Sequence, residues 1–580
     1  MPSAHWTLPE PAPEKDAALA AALGISPLAA RVLVRRGLSE PESAREFLAP
    51  SFDHLYDPLL MRDMPQAVAR LQLAIRGGEK ILIYGDYDVD GTTSVVLLTK
   101  AIELAGGAAG YYVPHRLKEG YGMRPEVVEA AAQSGVKLIV SVDTGIRAAE
   151  VVRRANELQI DVIVTDHHLP ESDLPPAIAV LNPNRPDCPY PEKNLCGAGV
   201  AFKLAQALLA TLAWPPERVR RVSESFLKMA AIATVADVVP LTGENRIIVK
   251  HGLDGLRDVR NTGLRALLDV AGFSGRSVPT ARQVAFQIAP RLNAAGRMDT
   301  AKAVVDMFLT NDAARARELA KQLHDQNSER QQVEAGIREI CEQIPVADSD
   351  AALVYFAPEW HRGVLGIVAS RLVERFHRPV FVLGVNPDDG VAQGSGRSVA
   401  AFHLLEALES MPELFLKFGG HRHAAGVTLD CDRVDEFRAR FNAYAAARLS
   451  PDDLAPQIAI DAIVDLPEIN DRAIAGIFTL APFGHGNPVP VFAALDAQLA
   501  GPPVVWNEKH LKLIVRQGGR SLTLTAWNFA HRAAEFESGS RVDIAFSLEE
   551  DAYAAARGMP AWRPVLCDVR RAAEVQTASA

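Results

Sequence analysis

Residues 84–94 read YGDYDVDGTTS, and they directly follow the apolar segment KILI at residues 80–83. The apolar segment predicts a buried strand, and the residues after the stretch predict a helix. Asp86, Asp88 and Asp90 occupy alternate positions, so in an extended chain their carboxylates would point the same way. Like charges held this close repel one another unless a cation neutralises them. The stretch therefore predicts a divalent-metal site at the carboxyl end of a strand in an α/β sheet.

Gly91 follows the three acids, and we expect it to let the backbone turn sharply before the helix. The alternative for this stretch, taken alone, is an acidic surface loop that binds no metal. The choice between the two depends on what lies at the ends of the other predicted strands.

The length and composition of the chain are typical of a multidomain globular protein. A chain of 580 residues predicts about three or four domains, and 48% hydrophobic with 23% charged residues is ordinary for a soluble protein. No run approaches the roughly 18 apolar residues of a membrane span, and the N-terminus has no signal-peptide pattern. The five cysteines are scattered and form no C-x-x-C pair, which favours a reducing compartment. These features predict a cytoplasmic enzyme without a membrane span.

The net charge of −10 is unevenly distributed along the chain. Between Lys250 and Met298 there are eight basic residues, Arg276 among them, against three acidic ones. Such a basic strip in an acidic protein is typical of a footprint for a phosphate backbone. A solvated helical face explains the strip equally well.

Strand and helix patterns alternate in the first half of the chain. Strands are predicted at Lys80–Tyr84, Lys137–Val142 and Asp161–Thr165, with helices at Thr92–Leu104 and Arg147–Leu158 between them. Alternation of this kind predicts a parallel sheet covered by helices.

The second half of the chain predicts further domains. A long helical stretch without proline indicates a connector helix, and a second α/β pattern follows it. About five short strands with polar turns then indicate a small barrel or sandwich, such as an OB-fold. The predicted organisation is a helical N-terminal segment (1–50), a parallel-sheet α/β domain (51–310), a connector helix (311–345), a smaller α/β domain (346–450) and a C-terminal β-barrel domain (451–580).

Acids and histidines also follow the other predicted strands. Asp143 follows the second of these strands, and His167 lies just past the third. Because the carboxyl ends of parallel strands share one edge of the sheet, we expect these two side chains to meet Asp88 and Asp90 there.

Asp237 adds an acid inside the apolar run TVADVVP at residues 234–240. A carboxylate is costly to bury unless it is paired or bound to metal. An N-cap or an ion pair is the alternative for this residue taken alone. Together with the acids at the strand ends, metal ligation is the better interpretation.

The type of ligand indicates the type of metal. Carboxylate and imidazole groups without thiolate favour Mn²⁺ or Mg²⁺ over structural zinc. About five acids and one or two histidines suffice for two ions roughly 3.5–4 Å apart, which can activate water and stabilise a displacement at phosphorus. His168, beside the ligands, is a candidate to donate to a phosphate oxygen or to protonate the leaving group.

Four motifs, in this order and spacing, resemble those of the DHH phosphoesterase superfamily. They are GDYDVDG (85–91), DTG (143–145), DHH (166–168) and VAD (235–237). Further stretches over nearly the whole chain are similar to one branch, the bacterial exonucleases that degrade single-stranded DNA from its 5′ end. These stretches are VPHR (113–116), GYG (120–122), PRLNAAGRM (290–298), WHRGV (360–364), GSGRS (394–398), GGHRHAAG (419–426), PFG (482–484) and GNP (486–488).

The resemblance implies the identity of each domain and of the metal ligands. The two α/β domains would be a DHH domain and a DHHA1 domain, and the C-terminal domain would be a nucleic-acid-binding OB-fold. The implied metal ligands are Asp86, Asp88, Asp90, Asp143, His167 and Asp237. The implied catalytic residues are Asp143, His167 and His168, with His168 contacting the scissile phosphate.

The resemblance also implies a set of substrate-binding residues. The set consists of Arg116, Arg291, Asn293, Arg297, Ser395, Arg397 and His421. By the resemblance, Arg116, Ser395 and Arg397 are candidates for a pocket that recognises the 5′ end. Arg291 and Arg297 would grip the backbone near the scissile bond, and His421 would reach in from the second domain. In the last domain, Trp506, Trp527 and Phe529 are candidates either for stacking on bases or for the interior.

The reaction that the resemblance implies is a 5′→3′ exonuclease on single-stranded DNA, dependent on two Mn²⁺ or Mg²⁺ ions and releasing 5′-mononucleotides in repair and recombination. A helicase and a single-strand-binding protein are the expected partners of a monomeric enzyme. One alternative is a DHH phosphodiesterase for short oligoribonucleotides or cyclic dinucleotides, although those relatives are shorter and lack the OB region. Another is a non-catalytic DNA-binding scaffold, although such proteins lose ligands that this chain keeps.

Overall fold

The structure, a computed structural model, describes residues 4–116, 118–275, 278–347, 349–386, 390–551, 554 and 560–572. Arg276 of the basic strip lies outside the described residues. Within them, no single helix is long and apolar enough to cross a membrane. One bent pair, Pro13–Leu23 with Pro27–Arg35, meets the criterion on length and composition alone.

The N-terminal segment contains a short strand and three helices. These are β1 (His5–Thr7), α1 (Pro13–Leu23), α2 (Pro27–Arg35) and α3 (Pro41–Leu48). Each helix begins with a proline, whose fixed φ and missing N–H suit the first helical position. Apolar residues of this segment, including Leu19 and Leu28, share one core with the C-terminal domain. The N-terminal segment therefore packs against the C-terminal domain, at the other end of the sequence.

The first α/β domain is built on five parallel strands. Its elements are α4 (Met64–Gly77), β2 (Lys80–Tyr84), α5 (Val89–Leu104), β3 (Ala109–Tyr112), α6 (Pro125–Gln133), β4 (Val136–Val142), α7 (Ala149–Glu157), β5 (Asp161–Thr165), β6 (Ala179–Leu181), α8 (Gly197–Ala210), α9 (Pro216–Ala236), α10 (Gly243–Gly255), α11 (Thr262–Val270), α12 (Ala281–Gln283), α13 (Ala289–Met298) and α14 (Lys302–Leu309). The strand order is β3-β2-β4-β5-β6, with every pair parallel. The predicted parallel sheet is confirmed. Only the short strands β3 and β6 were not predicted.

The acidic stretch is not extended throughout, so that part of the prediction is wrong. Helix α5 begins at Val89, and Asp88 is its N-cap, accepting a hydrogen bond from the Gly91 N–H at 2.9 Å. Asp90 therefore lies in the first helical turn, where the helix dipole favours an acid. Gly91 makes no turn; a Cβ there would lie 2.7 Å from the Asp86 Cα, so glycine permits close packing.

A long helix joins the two α/β domains. This helix, α15 (Ala313–Gln343), has 31 residues and is capped by Asp312. At a rise of about 1.5 Å per residue it is roughly 46 Å long. Leu323 lies in the core of the first domain, whereas Ile337 lies in the core of the second. The helix thus belongs to both cores and fixes their separation.

The second α/β domain has a mixed sheet. Its elements are β7 (Leu353–Pro358), α16 (Leu365–Phe376), β8 (Val380–Asn386), β9 (Val391–Arg397), α17 (Leu404–Glu409), β10 (Lys417–Gly420), β11 (Ala424–Asp430) and α18 (Val434–Ala446). The order is β10-β11-β9-β8-β7, and only β7 and β8 pair in parallel. Glycine disfavours strands, which is why the glycine-rich β9 to β11 were not predicted. A Cβ at Gly394 would lie 2.0 Å from the Val382 carbonyl oxygen.

The C-terminal domain is a closed barrel. Its elements are β12 (Gln457–Ala459), β13 (Ala462–Ile463), α19 (Asp471–Phe478), β14 (Val491–Leu499), β15 (Val504–Trp506), β16 (His510–Gln517), β17 (Arg520–Ala526), β18 (Arg541–Glu550) and β19 (Trp562–Arg571). The ring runs β14-β18-β19-β17-β16 and closes by a β14–β16 pairing. The predicted OB-type barrel is confirmed, although β19 was not predicted. The N-terminal β1 pairs in parallel with β12.

Close packing of α9 on α10 generates a prediction. A Cβ at Gly252 would lie 2.3 Å from the Leu227 carbonyl oxygen and 2.4 Å from the Ala231 Cβ. We expect Gly252→Ala to destabilise the fold by about 2 kcal/mol, because the added methyl group would clash with backbone atoms that cannot move without distorting the helices. The matched control is Gly336→Ala in α15, which meets nothing within 4 Å and should stabilise by about 0.5–1 kcal/mol. Calorimetric melting measures both, and shifts of the same sign would contradict this packing.

Candidate metal centre

Three adjacent strands of the first sheet end in acids or histidines. Asp86 lies two residues past β2, Asp143 directly follows β4, and His167 lies two residues past β5. Because β2, β4 and β5 are neighbours in a parallel sheet, their carboxyl ends share one edge. The edge therefore gathers residues that are far apart in sequence.

All six predicted ligands meet at this edge. One ligand atom from each member lies within 4.8 Å of the others in three groups: Asp86 with Asp88 and Asp143, Asp90 with His167 and Asp237, and Asp143 with His167 and His168. The His167 Nε2 lies 3.2 Å from an Asp143 oxygen and 3.8 Å from oxygens of both Asp90 and Asp237. The groups overlap, so they form one centre.

Asp90 is held by a second helix. Its two carboxylate oxygens accept hydrogen bonds from the N–H groups of Gly197 at 2.6 Å and Ala198 at 2.7 Å, at the start of α8. The positive end of the helix dipole therefore faces this carboxylate. A Cβ at Gly197 would lie 2.6 Å from the Asp143 Cβ, so only glycine lets α8 approach so closely. Sequence reasoning missed Gly197; the run GAG at 197–199 is the signal that could have found it.

Two buried carboxylate oxygens indicate a missing positive charge. Among the described residues, neither Asp86 Oδ1 nor Asp143 Oδ1 receives a hydrogen bond, although both atoms are buried and His167 Nε2 lies 3.2 Å from the second of them. Asp143 also has a φ of 59°, a left-handed conformation that is uncommon for a residue with a Cβ. A buried acceptor without a donor is costly. Oxygen and imidazole donors in this arrangement fit a divalent cation of the Mn²⁺ or Mg²⁺ type.

The pKa values of these acids are raised, as expected where buried carboxylates have too little positive charge around them. Burial, and then the charge of Asp88, raises the pKa of Asp86 well above the usual range. Burial, and then the charges of Asp90 and Asp88, raises the pKa of Asp143 in the same way. Burial, and then the charges of Asp90 and Asp88, raises the pKa of Asp237 to about 9. Asp237 follows the carboxyl end of α9, where the helix dipole disfavours an acid. Bound cations would reverse these shifts.

Asp166 holds His168 in place. The buried Asp166 Oδ1 lies 2.7 Å from the His168 Nδ1 and accepts the N–H groups of His167 and His168. Burial alone would raise the pKa of Asp166, but the hydrogen bond from His168 lowers it overall. Burial alone would likewise lower the pKa of His168, but Asp166 raises it. The Tyr121 hydroxyl lies 3.1 Å from the same Nδ1, so Nε2 is the ring atom that can face a substrate.

Several residues that hold the histidine pair in place were not singled out from the sequence. Asp166 and Tyr121 were seen only as parts of motifs. The side-chain amides of Asn182 and Asn184 donate to the carbonyl oxygens of His168 at 2.9 Å and His167 at 2.6 Å. The run NPN after β6 is the only local signal for them. These contacts fix the histidine pair.

Beside the acids lies a cluster of four arginines, of which Arg330 is buried and Arg116, Arg297 and Arg397 are half-buried. Burial, and then the charges of Arg116, Arg330 and Arg397, lowers the pKa of Arg297 to about 9. Burial and Arg116 also lower the pKa of Arg397. The Arg116 guanidinium lies 4.8 Å from the Tyr87 ring centroid, within the acidic stretch. Guanidinium groups gathered in this way suit phosphate. Arg330, on the connector helix, was not predicted.

Ser395 and Arg397 lie two residues apart on β9, and both pack against the start of α16. A Cβ on Gly366 would lie 3.0 Å from an Arg397 guanidinium nitrogen and 3.5 Å from the Ser395 Cβ. A helix N-terminus, a hydroxyl and a guanidinium therefore converge. Such a set is suited to an anion. Arg297 also donates to the Gly363 carbonyl at 3.0 Å, which ties the first domain to this region.

The other three predicted substrate-binding residues, Arg291, Asn293 and His421, lie in different places. Arg291 donates to His324 Nδ1 of the connector helix at 3.2 Å. The Asn293 Oδ1 accepts the Val89 N–H at 3.2 Å, so Asn293 positions the start of α5. His421 is exposed at the β10–β11 turn, where burial, His423 and Arg397 lower its pKa.

Comparisons with known proteins agree with this geometry. Family models match at residues 80–234 (DHH family, N-terminal domain), 349–447 (DHHA1 domain) and 460–559 (RecJ OB domain). The single-stranded-DNA-specific exonuclease RecJ of Dickeya dadantii is 38% identical over 552 residues, covering 91% of this chain and 94% of the relative. RecJ of Escherichia coli is 37% identical over 550 residues, covering 90% and 93%.

A solved structure shows the same architecture. RecJ from Thermus thermophilus in complex with Mn²⁺ superposes with a TM-score of 0.82 at 33% identity, covering 98% of this chain and 80% of that one. Its complex with Mg²⁺ gives 0.77 at 32% identity, covering 98% and 79%. With relatives this similar over most of both lengths, the chain belongs to the RecJ family of DHH phosphoesterases.

Proposed function

We propose that this protein is a metal-dependent exonuclease that hydrolyses single-stranded DNA from its 5′ end and releases 5′-mononucleotides. The observation that carries the proposal is the meeting of six acidic and imidazole groups at one sheet edge, beside a cluster of arginines. Its relatives are named single-stranded-DNA-specific exonucleases. The presence of every ligating side chain argues against a non-catalytic scaffold.

The proposed ligands are the six residues Asp86, Asp88, Asp90, Asp143, His167 and Asp237. They would hold two ions of Mn²⁺ or Mg²⁺, the metals in the Thermus thermophilus structures. When bound, such ions supply positive charge that activates water and stabilises the oxygens of an in-line displacement at phosphorus. The chain supplies the geometry, because two helix starts and the strand ends fix the carboxylates of Asp86, Asp88, Asp90 and Asp143.

His168 supplies a proton at the reacting phosphate. Asp166 orients its ring and raises its pKa, so the imidazolium persists nearer neutral pH. The Nε2–H can then donate to a phosphate oxygen or to the leaving oxygen. Arg297, whose guanidinium is close enough to Asp88 for its charge to act on the pKa of Arg297, would hold the next phosphate of the strand.

Recognition of the 5′ end would fall to the pocket between the two α/β domains. Arg116, Ser395 and Arg397 are the proposed contacts, with the start of α16 behind them. A guanidinium fork binds a terminal phosphate through two parallel hydrogen bonds. Holding that phosphate at a fixed distance from the metals would release one nucleotide per cycle.

The barrel would add affinity for the strand. The rings of Trp506 and Trp527 have centroids 5.4 Å apart, and Trp527 is 37% exposed. Exposed aromatic rings stack on bases without regard to sequence. Phe529 instead packs against the barrel core. In the cell, we propose a monomer in the cytoplasm that acts in repair and recombination, with a helicase and a single-strand-binding protein as partners.

The first test is an end-labelled digestion with Mn²⁺ or Mg²⁺. We expect 5′-labelled single strands to release labelled mononucleotide early, 3′-labelled strands to release it late, and blunt duplex to resist. Asp143→Ala should lower the rate by about 10³-fold or more, because several kcal/mol of charge stabilisation are lost. Asp173→Ala, in an exposed loop, is the control. Equal digestion of duplex, or an Asp143→Ala variant as active as wild type, would sink the proposal.

The second test concerns the 5′ pocket. Arg397→Gln should reduce the preference for a 5′-phosphate over a 5′-hydroxyl by about tenfold or more, since a charge-assisted contact is lost. Mn²⁺ affinity should stay unchanged. Arg375→Gln, an exposed position on α16, serves as the matched control. An unaltered phosphate preference in Arg397→Gln would remove this residue from the pocket.

A further inference from the structure

Asp237 lies in a less favourable position for a carboxylate than Asp88 and Asp90 do. Asp88 and Asp90 lie at helix starts, whereas Asp237 follows the end of α9. There the helix dipole and the charges of Asp90 and Asp88 oppose its carboxylate. The next residue, Val238, has a φ of 59°, which a β-branched side chain rarely adopts. Something outside this segment must hold it in place.

A loop of the C-terminal domain, residues 480–488, lies directly on this segment. The Leu241 N–H donates to the His485 carbonyl at 2.7 Å. A Cβ at Gly484 would lie 2.6 Å from the Leu241 Cδ1. Gly486 has a φ of +71°, and a Cβ there would lie 2.9 Å from the Pro240 Cβ. The two glycines allow a contact that no larger residue would permit.

The loop is itself rigid. Gly484 and Asn487 exchange backbone hydrogen bonds of 2.9 and 3.1 Å, which closes a tight turn. The Asn487 side chain is 1% exposed, and its amide donates to the carbonyl oxygens of Leu480 at 2.9 Å and Pro482 at 2.8 Å. A loop closed by its own buried amide can support a neighbour.

Two arginines from other parts of the chain fasten the loop. Arg246 of α10 is 2% exposed and donates to the carbonyl oxygens of Leu480 at 3.0 Å and Ala481 at 2.9 Å. Burial lowers its pKa to about 10, and in the described chain no carboxylate pairs with it. Arg36, which caps the end of α2, donates to the Pro488 carbonyl at 2.8 Å. Burying a guanidinium that is satisfied by carbonyl oxygens is costly. The contact between Arg246 and the loop is therefore a specific part of the fold.

We propose that loop 480–488 is a positioning element for Asp237, so that the C-terminal domain sets the geometry of one metal site in the first domain. The inference rests on the proposed role of Asp237 as a ligand. Among the residues that the structure describes, Asp237 joins only the group with Asp90 and His167, so the loop acts on that site and leaves the group of Asp86, Asp88 and Asp143 alone. The strand-binding barrel and the metal centre are then mechanically joined.

The test is Mn²⁺ binding to the full chain, measured by the electron paramagnetic resonance signal of free Mn²⁺. In Gly486→Ala, one of two Mn²⁺ ions should bind about tenfold more weakly, as when outer support of a ligand is lost. The other ion should bind as before. The matched control is Gly519→Ala in the same domain, where φ is +78° and nothing lies within 4 Å. Identical Mn²⁺ isotherms for both variants, or equal weakening of both ions, would overturn the inference.

A double-mutant cycle with Asp237→Asn separates the inference from the proposal beneath it. If Asp237→Asn weakens one site and Gly486→Ala adds nothing in that background, the loop acts through Asp237. If Asp237→Asn leaves both sites intact, the ligand assignment fails. If Asp237→Asn weakens one site but Gly486→Ala does not, only the inference fails. Should Gly486→Ala not fold, Gly484→Ala, which meets only the Leu241 side chain, takes its place with the same expected weakening.

Discussion

Repulsion among buried carboxylates is the constraint on which the rest of this structure depends. Five acids crowd one sheet edge, and burial raises the pKa of Asp86, Asp143 and Asp237. The fold offsets part of this charge with the positive ends of two helices. Asp88 caps α5, and Asp90 receives the first N–H groups of α8. Divalent cations would supply the remainder.

Placing two helix starts so near the same edge requires positions without side chains. Gly91 admits the Asp86 backbone, and Gly197 admits the Asp143 side chain. The glycines therefore allow the two helix starts to approach the acids closely enough to stabilise their negative charge. The same logic recurs at Gly484 and Gly486, where the barrel meets the segment after Asp237.

The strand ends could be predicted from the sequence because a buried strand and a following acid are local signals. Lys80–Tyr84 and Asp161–Thr165 have the predicted bounds. The start of α5 was misplaced, since Asp88 could equally extend a strand or cap a helix. The roles of Arg330 and loop 480–488 could not be predicted, because they arise from contacts between segments distant in sequence, whereas Gly197 was missed although the run GAG marks it. The domain boundaries remain predictions, and the N-terminal helices share the barrel core.

The central claim is that the acids and His167 hold two divalent cations at one sheet edge. The most direct measurement is anomalous diffraction at the manganese edge from crystals soaked in Mn²⁺. We predict two peaks roughly 3.5–4 Å apart among these six side chains. A map without peaks at this edge, or with its only peaks elsewhere on the chain, would contradict a two-metal centre here.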